Sequence, residues 1–313
     1  MIILINHALD LDGLGSQAIL KKYFEKKDEE LNLFYAIYPN FIEIVRQAIK
    51  LKPKKIIIAD IGFNESFKEI FSIFKRAVNK GIQISWFDHH LVDSQIQEQL
   101  KQILFIYLND PQRCASQIVY DYFLPNNPIA KEIANYAYDA DFNEKKFPIS
   151  QNLQMIIAYN RENIKNLERI VDLLSKGKFN DYFIKNEIKK AQKWKEEQII
   201  EIEKNYKIYP IENGKNLVIS FARFSASKIS RTLETKYPNN YLYMGFDERT
   251  NEVVIRSKHY NCRDIAISYG GGGHNGRAGF SSNIILIKNE ETNKDQLIIN
   301  EEFTRDFIKK LKF

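Results

Sequence analysis

Cysteine is nearly absent. The 313-residue chain has two, Cys114 and Cys262, too few and too far apart for a disulfide framework or a thiolate zinc site, which fits a reducing cytosol. Long hydrophobic runs are missing too. No window approaches the roughly 18 apolar residues of a spanning helix. The apolar start, Met1-Ile2-Ile3-Leu4-Ile5, is brief and has no basic region before it, so it reads as a first strand rather than a signal peptide. The chain is therefore expected to be soluble and cytoplasmic, with no membrane partner. Internal repeats and low-complexity segments are also absent. Neither sign of charge dominates: a net charge of +6 permits a polyanionic partner without demanding one.

What remains is ordinary globular composition, 44% hydrophobic and 27% charged. At this length two domains are expected rather than one. Strand-like runs cover residues 1–5, 31–37, 55–59, 82–86 and 103–108. Helical patterns separate them at 18–24, 41–51 (with Asn40 as a plausible N-cap) and 66–78. Strands alternating with helices argue for an open parallel sheet covered on both faces. Helices follow at 115–123 and 129–138, the first with Ser116 as an expected N-terminal cap. Residues 152–207 are helical and lysine-rich, and 181–204 reads as one long connector. From Leu217 the period changes to a strand at 217–221, a helix at 226–236, a strand pair at 241–247 and 252–257, and a short helix at 262–267. The expected fold is α/β: a parallel-sheet N-terminal domain with helices on both faces (1–182), a connector helix (183–206) and a smaller α/β C-terminal domain (207–313).

In open parallel sheets, ligands bind beyond the carboxyl ends of the strands. His7, Asp10 and Asp12 follow the first strand, Asp60 the third, and Asp88-His89-His90 the fourth; Asp139 and Asp141 follow a helix. Carboxylate and imidazole donors together suit manganese, and also magnesium or cobalt. The set is large enough for two ions about 3.5–4 Å apart with one bridging carboxylate. Taken singly, most have simpler readings. Asp10 and Asp12 could cap the helix starting near Gly13, Asp60 could serve a turn, His7 a loop, and Asp139 or Asp141 a loop cap. Asp88-His89-His90 is the uncommon element. Further on, Gly270 to Gly273 precede His274. Consecutive glycines can present amides to an anion, although no Lys-Ser/Thr follows, which excludes a P-loop. Arg256 ends a strand before them and could grip a phosphate with two hydrogen bonds. The competing readings are a flexible hinge for the glycines and a surface ion pair for Arg256. No base-stacking aromatic stands out.

Asp88-His89-His90, preceded by His7-x-x-Asp10-x-Asp12-Gly13, resembles the DHH phosphoesterase superfamily. Gly270-Gly271-Gly272-Gly273-His274-Asn275-Gly276-Arg277-Ala278-Gly279-Phe280 is similar to the signature of its DHH-associated C-terminal domain. The resemblance implies a metal shell of His7, Asp10, Asp12, Asp60, Asp88, His89 and either Asp139 or Asp141, with Asp139 favoured because it closes a helical run. It implies two Mn2+ (Mg2+ or Co2+ as alternatives). It makes Asp88, His90 and His274 catalytic candidates, and Arg256, Ser257, Gly271, Gly272, Gly273 and His274 substrate-binding candidates. Members include RecJ-type exonucleases, nano-RNases, 3′-phosphoadenosine 5′-phosphate phosphatases and cyclic-dinucleotide phosphodiesterases. The compact layout is most similar to nano-RNases, so the expected activity is hydrolysis of short single-stranded RNA to mononucleotides. The alternatives are adenosine bisphosphate, cyclic or linear dinucleotides, or an inactive nucleotide-binding regulator. A homodimer is compatible with the resemblance.

Overall fold

Three consecutive isoleucines, Ile56-Ile57-Ile58, are almost wholly buried. Apolar side chains pointing to both faces require a strand covered on both sides. The computed structural model describes the chain except residues 26, 28, 64–67, 213, 289–296 and 312–313. It divides into two compact units, residues 1–191 and 192–313.

In the first unit the order is β1 (Ile2–His7), α1 (Leu11–Glu25), β2 (Leu31–Ala36), α2 (Phe41–Lys50), β3 (Lys55–Ala59), α3 (Ile70–Val78), β4 (Gln83–Asp88), α4 (Ser94–Ile103), β5 (Ile106–Asn109), α5 (Ala115–Phe123), α6 (Pro128–Asp141), α7 (Pro148–Asn160) and α8 (Ile164–Ser175). α9 (Tyr182–Lys204) begins in this unit. The five strands are parallel, in the order β2-β1-β3-β4-β5. Strand alternation splits the core. Ile2, Leu4, Ile57, Ala59 and Phe87 pack with α1 and α5 to α8, while Ile3, Ile5, Ile56, Ile58, Ile84 and Trp86 pack with α2 to α4. Each large apolar side chain among them contributes about 1.5–3 kcal/mol on burial. Trp86 also satisfies its ring N–H, which donates to the Ile61 carbonyl at 2.9 Å.

The sheet, its parallel sense and its two helical layers are as expected from the sequence. Several local expectations are corrected. The fifth strand starts at Ile106, because Ile103 ends α4, a helix the sequence reading passed over. Its signals are Ile96, Leu100 and Ile103 at helical spacing and Asp93, whose side chain caps Gln95 N at 2.8 Å. Asn40 precedes α2, yet its side chain accepts from Ile37 N at 2.8 Å and closes a 3₁₀ turn instead of capping the helix. α6 runs through Asp141, so Asp139 and Asp141 lie within its last turn. The expected helix start at residue 66 lies outside the described residues.

The second unit contains the end of α9, then β6 (Lys207–Pro210), β7 (Asn216–Ala222), α10 (Ala226–Lys236), β8 (Leu242–Asp247), β9 (Glu252–Arg256), α11 (Cys262–Ile267), β10 (Gly272–His274), β11 (Arg277–Ser281), β12 (Leu286–Lys288), β13 (Leu297–Ile299) and α12 (Glu301–Lys310). A mixed sheet runs β10-β11-β9-β8-β7-β6, and β12 pairs with β13 separately. The glycine run was expected to present its amides to an anion or to act as a flexible hinge. Instead, Gly272 to His274 form an edge strand against β11. Gly271 N–H donates to the Ala266 carbonyl at 2.8 Å, and a Cβ at Gly271 would lie 2.1 Å from Gly279 O. Close strand packing therefore accounts for glycine at that position.

Candidate active site

The carboxyl ends of β1, β3 and β4 bring the predicted residues together. His7 is the last residue of β1, and Asp60 and His89 directly follow β3 and β4. His7 Nδ1 lies 2.7 Å from Asp10 Oδ2 and 3.6 Å from Asp60 Oδ2. His89 Nε2 lies 3.4 Å from Asp60 Oδ1, 3.7 Å from Asp12 Oδ2 and 3.7 Å from Asp141 Oδ2. Three overlapping groups have their donor atoms within 4.8 Å of one another: His7, Asp10 and Asp60; Asp60, His89 and His90; Asp12, His89 and Asp141. Asp60 and His89 each belong to two groups.

Asp60 is the most constrained member. Its φ of +60° is in the left-handed region, which costs a non-glycine residue about 1 kcal/mol or more, though Asp tolerates it better than most. Its carboxylate is buried, and Oδ2 has no hydrogen-bond partner among the described residues. Burial, then the charges of Asp10 and Asp12, push its pKa well above the usual carboxylate range. Asp141 is raised to about 6 by burial and then by Asp12. Burial opposes ionisation of His7 and Asp10, but their mutual attraction wins: His7 is raised and Asp10 lowered.

Four sequence candidates also have structural duties. Asp10 Oδ1 accepts from Gly13 N at 3.0 Å, the expected cap of α1. Asp12 does something the spacing did not suggest. Its two oxygens accept from Ala115 N and Ser116 N, both at 2.7 Å, so it caps α5 from a distance in sequence. Ser116, expected to be that cap, instead donates its hydroxyl to the Asp12 carbonyl at 2.8 Å. Asp139 and Asp88 stand outside all three donor groups. Asp139 accepts from Lys146 N at 2.6 Å and Phe147 N at 3.3 Å. Asp88 Oδ1 lies 2.9 Å from His90 Nδ1, and its Oδ2 accepts from His90 N at 3.2 Å. Burial lowers the His90 pKa, but Asp88 more than offsets this and raises it.

Three neighbours of these residues are not evident from the sequence. Asn109 Nδ2 donates to the His90 carbonyl at 2.9 Å. The Tyr38 ring lies 6.1 Å from that of His7 and 6.4 Å from that of His90, and its hydroxyl accepts from Gly62 N at 3.2 Å. Gly62 gives His90 room: a Cβ there would sit 2.6 Å from His90 Cβ. A signal existed for Gly62, two residues past the Asp60 strand end, but the contact with His90 is visible only in three dimensions.

In the second unit, cross-strand register aligns His274 with Arg277 and Arg277 with Arg256. Directly paired residues share a face, so these three form a row. Arg256 is half-buried and donates to Ser230 Oγ at 3.2 Å and Ser227 Oγ at 3.1 Å on α10. Burial, then the charges of Arg277 and Arg231, lower its pKa. Arg277 and Arg231 were not singled out in the sequence. Ser257 is buried, and its hydroxyl is fully engaged: it donates to Tyr241 O at 2.6 Å and accepts from His259 N and Tyr260 N, each at 2.9 Å.

No helix among the described residues is long and apolar enough to cross a membrane. Residues 1–140 match the DHH family, N-terminal domain. A 3′,5′-cyclic-nucleotide phosphodiesterase of Helicobacter pylori is 29% identical over 121 residues, covering 36% of this chain and 33% of that protein. The match thus spans about a third of that relative's length. A solved DHH domain described as belonging to a family of ribosomal proteins has a TM-score of 0.65 at 15% identity, over 100% of this chain and 87% of its own. Exonuclease RecJ bound to manganese has a TM-score of 0.61 at 11% identity, over 99% of this chain and 89% of its own. At these identities the two structures establish likeness of fold.

Proposed function

We propose that the chain, whose residues 1–140 match the DHH family N-terminal domain, is a metal-dependent phosphoesterase that hydrolyses short oligoribonucleotides to mononucleotides. The observation that carries this reading is the overlap of three donor groups at the strand ends, linked through Asp60 and His89. The donor set suits two divalent ions: carboxylates and imidazoles, no thiolate, and a buried Asp60 oxygen without a partner among the described residues. His7, Asp10 and Asp60 would hold one ion, and Asp12, His89 and Asp141 the other, with Asp60 near both. Manganese is the preferred choice, supported by the mixed donors and by the manganese bound to the RecJ neighbour; magnesium and cobalt are the alternatives. When bound, such ions lower the pKa of water and offset charge developing on phosphoryl oxygens.

The chain's own residues supply orientation. Asp88 fixes His90 through Nδ1, and Asn109 fixes the His90 carbonyl. This leaves His90 Nε2 to contact the phosphate or the leaving oxygen. In the second unit, Arg256, Arg277 and His274 would hold the terminal phosphate, with Gly272 and Gly273 alongside. We assign residues 1–182 to catalysis, 183–206 to a connector and 207–313 to substrate binding.

The test is manganese-dependent hydrolysis of a ladder of RNAs from dinucleotides to long oligomers, with adenosine bisphosphate and cyclic nucleotides in parallel. Preference for the shortest RNAs supports the reading, and preference for long strands overturns it. A second reading, cyclic-nucleotide phosphodiesterase, is favoured by the Helicobacter pylori relative. Turnover confined to cyclic nucleotides would establish it instead.

A further inference from the structure

We propose that Phe142 is a stacking platform for a nucleobase, so that the first unit recognises a nucleoside beside the scissile phosphate and not the phosphate alone. This rests on the reading of the site as a phosphoesterase and narrows its substrate class to base-bearing esters, as opposed to inorganic polyphosphates.

Phe142 directly follows Asp141, a member of one donor group. Its ring centroid lies 6.3 Å from that of His89, tilted by 51°. It nevertheless remains 41% exposed. The ring is supported from behind, because Tyr138 stacks on it at 4.5 Å with an interplanar angle of 22°. A second aromatic ring beneath the first fixes the platform's plane before any ligand arrives, which lowers the ordering cost of binding.

The backbone beyond the ring closes the end of α6. Asn143, which follows the C-cap Phe142, has φ of +54°, the left-handed conformation common at helix ends, and Lys145 has φ of +59°. Asp139 holds this segment. Its carboxylate accepts from Lys146 N and Phe147 N, and its carbonyl accepts from Glu144 N at 3.1 Å. Phe142 N itself donates to the Tyr138 carbonyl at 3.0 Å. Asp139 is thus a positioning residue for the loop that carries Phe142. A helix end accounts for the left-handed backbone at Asn143, but it does not require an aromatic ring left exposed beside His89.

Aromatic stacking accepts any base, because each has a π-face. Phe142→Ala should therefore raise KM for 5′-phosphorylated diadenylate about 5- to 100-fold while leaving kcat within about twofold. Phe142→Tyr should retain the wild-type KM. An abasic dinucleotide analogue should be hydrolysed equally by wild type and Phe142→Ala. A binding readout independent of turnover is the fluorescence of Phe142→Trp with magnesium present, measured against wild type, whose Trp86 and Trp194 supply the background. Adenosine monophosphate should quench the added signal, and ribose 5-phosphate should not. Equal KM for wild type and Phe142→Ala, an equal loss on the abasic analogue, or equal quenching by the two monophosphates overturns the platform. If wild type hydrolyses no phosphodiester, the phosphoesterase reading fails instead, and the quenching comparison alone decides for or against the platform.

Discussion

The two units concentrate opposite charge in opposite settings. At the strand ends of the first, Asp10, Asp12, Asp60 and Asp141 crowd around His7 and His89, with Asp12 and Asp60 fully buried. In the β9–β11 corner of the second, Arg256, Arg277 and His274 stand in a row, with Arg277 and His274 exposed. Like charges in a buried space are costly and need a counterion in fixed positions. Like charges in water repel weakly and are screened, so they can wait for an anion at small cost. Acidic groups are thus crowded in a buried setting in the first unit, while in the second basic groups line an exposed strand edge.

The sharpest way to break this comparison is Asp60→Asn. Metal-dependent hydrolysis should fall by at least about 10³-fold. In the same variant the metal-free protein should melt higher than wild type, because a buried, crowded carboxylate is gone; a lower melting temperature would refute the crowding. Arg256→Ala tests the other side. It should raise KM for 5′-phosphorylated dinucleotides about 10- to 100-fold, with little change for unphosphorylated ones. Gly62→Ala should cost about tenfold in kcat by displacing His90, with the overall fold retained by circular dichroism.

The smallest effect separates the sites by pH. In the metal-free protein, His7, His90, Asp60 and Asp141 all have raised pKa values, the last at about 6. The folded state therefore keeps protons that the unfolded chain releases earlier, and stability falls as pH rises. For Asp141 the loss begins near the unfolded carboxylate value of about 4 and continues through about 6. For the histidines it lies above about 6.5. The lowered pKa of Asp10 contributes only in acid and does not oppose this trend. Thermal melts of metal-free protein should drop between about pH 5.5 and 8.5, and saturating metal should reverse the slope, because ligands bind deprotonated.

The central strands β1, β3 and β4 were legible because Ile56-Ile57-Ile58 and its neighbours are buried on both faces, which local sequence displays directly. The site's approximate location followed from where those runs end. Pairings between distant segments were not legible. Asp10 and Asp12 look like a local pair, yet the partner of Asp12 is the start of α5. Arg277 looks like part of a flexible glycine stretch until strand register sets it opposite Arg256. The β10–β11 hairpin itself escaped notice because glycine-rich strands lack the branched residues that mark β-structure.

The bond between Asp12 and α5 has one more consequence. The carboxylate that accepts from the first two amides of α5 also belongs to one of the donor groups, so on the proposed metal reading an ion there would alter the solvent exchange of those amides. Drawing Asp12 charge toward a cation weakens it as an acceptor for Ala115 and Ser116 N–H. Deuterium uptake at these two positions should therefore change when the metal is removed, and α5 becomes a built-in gauge of loading.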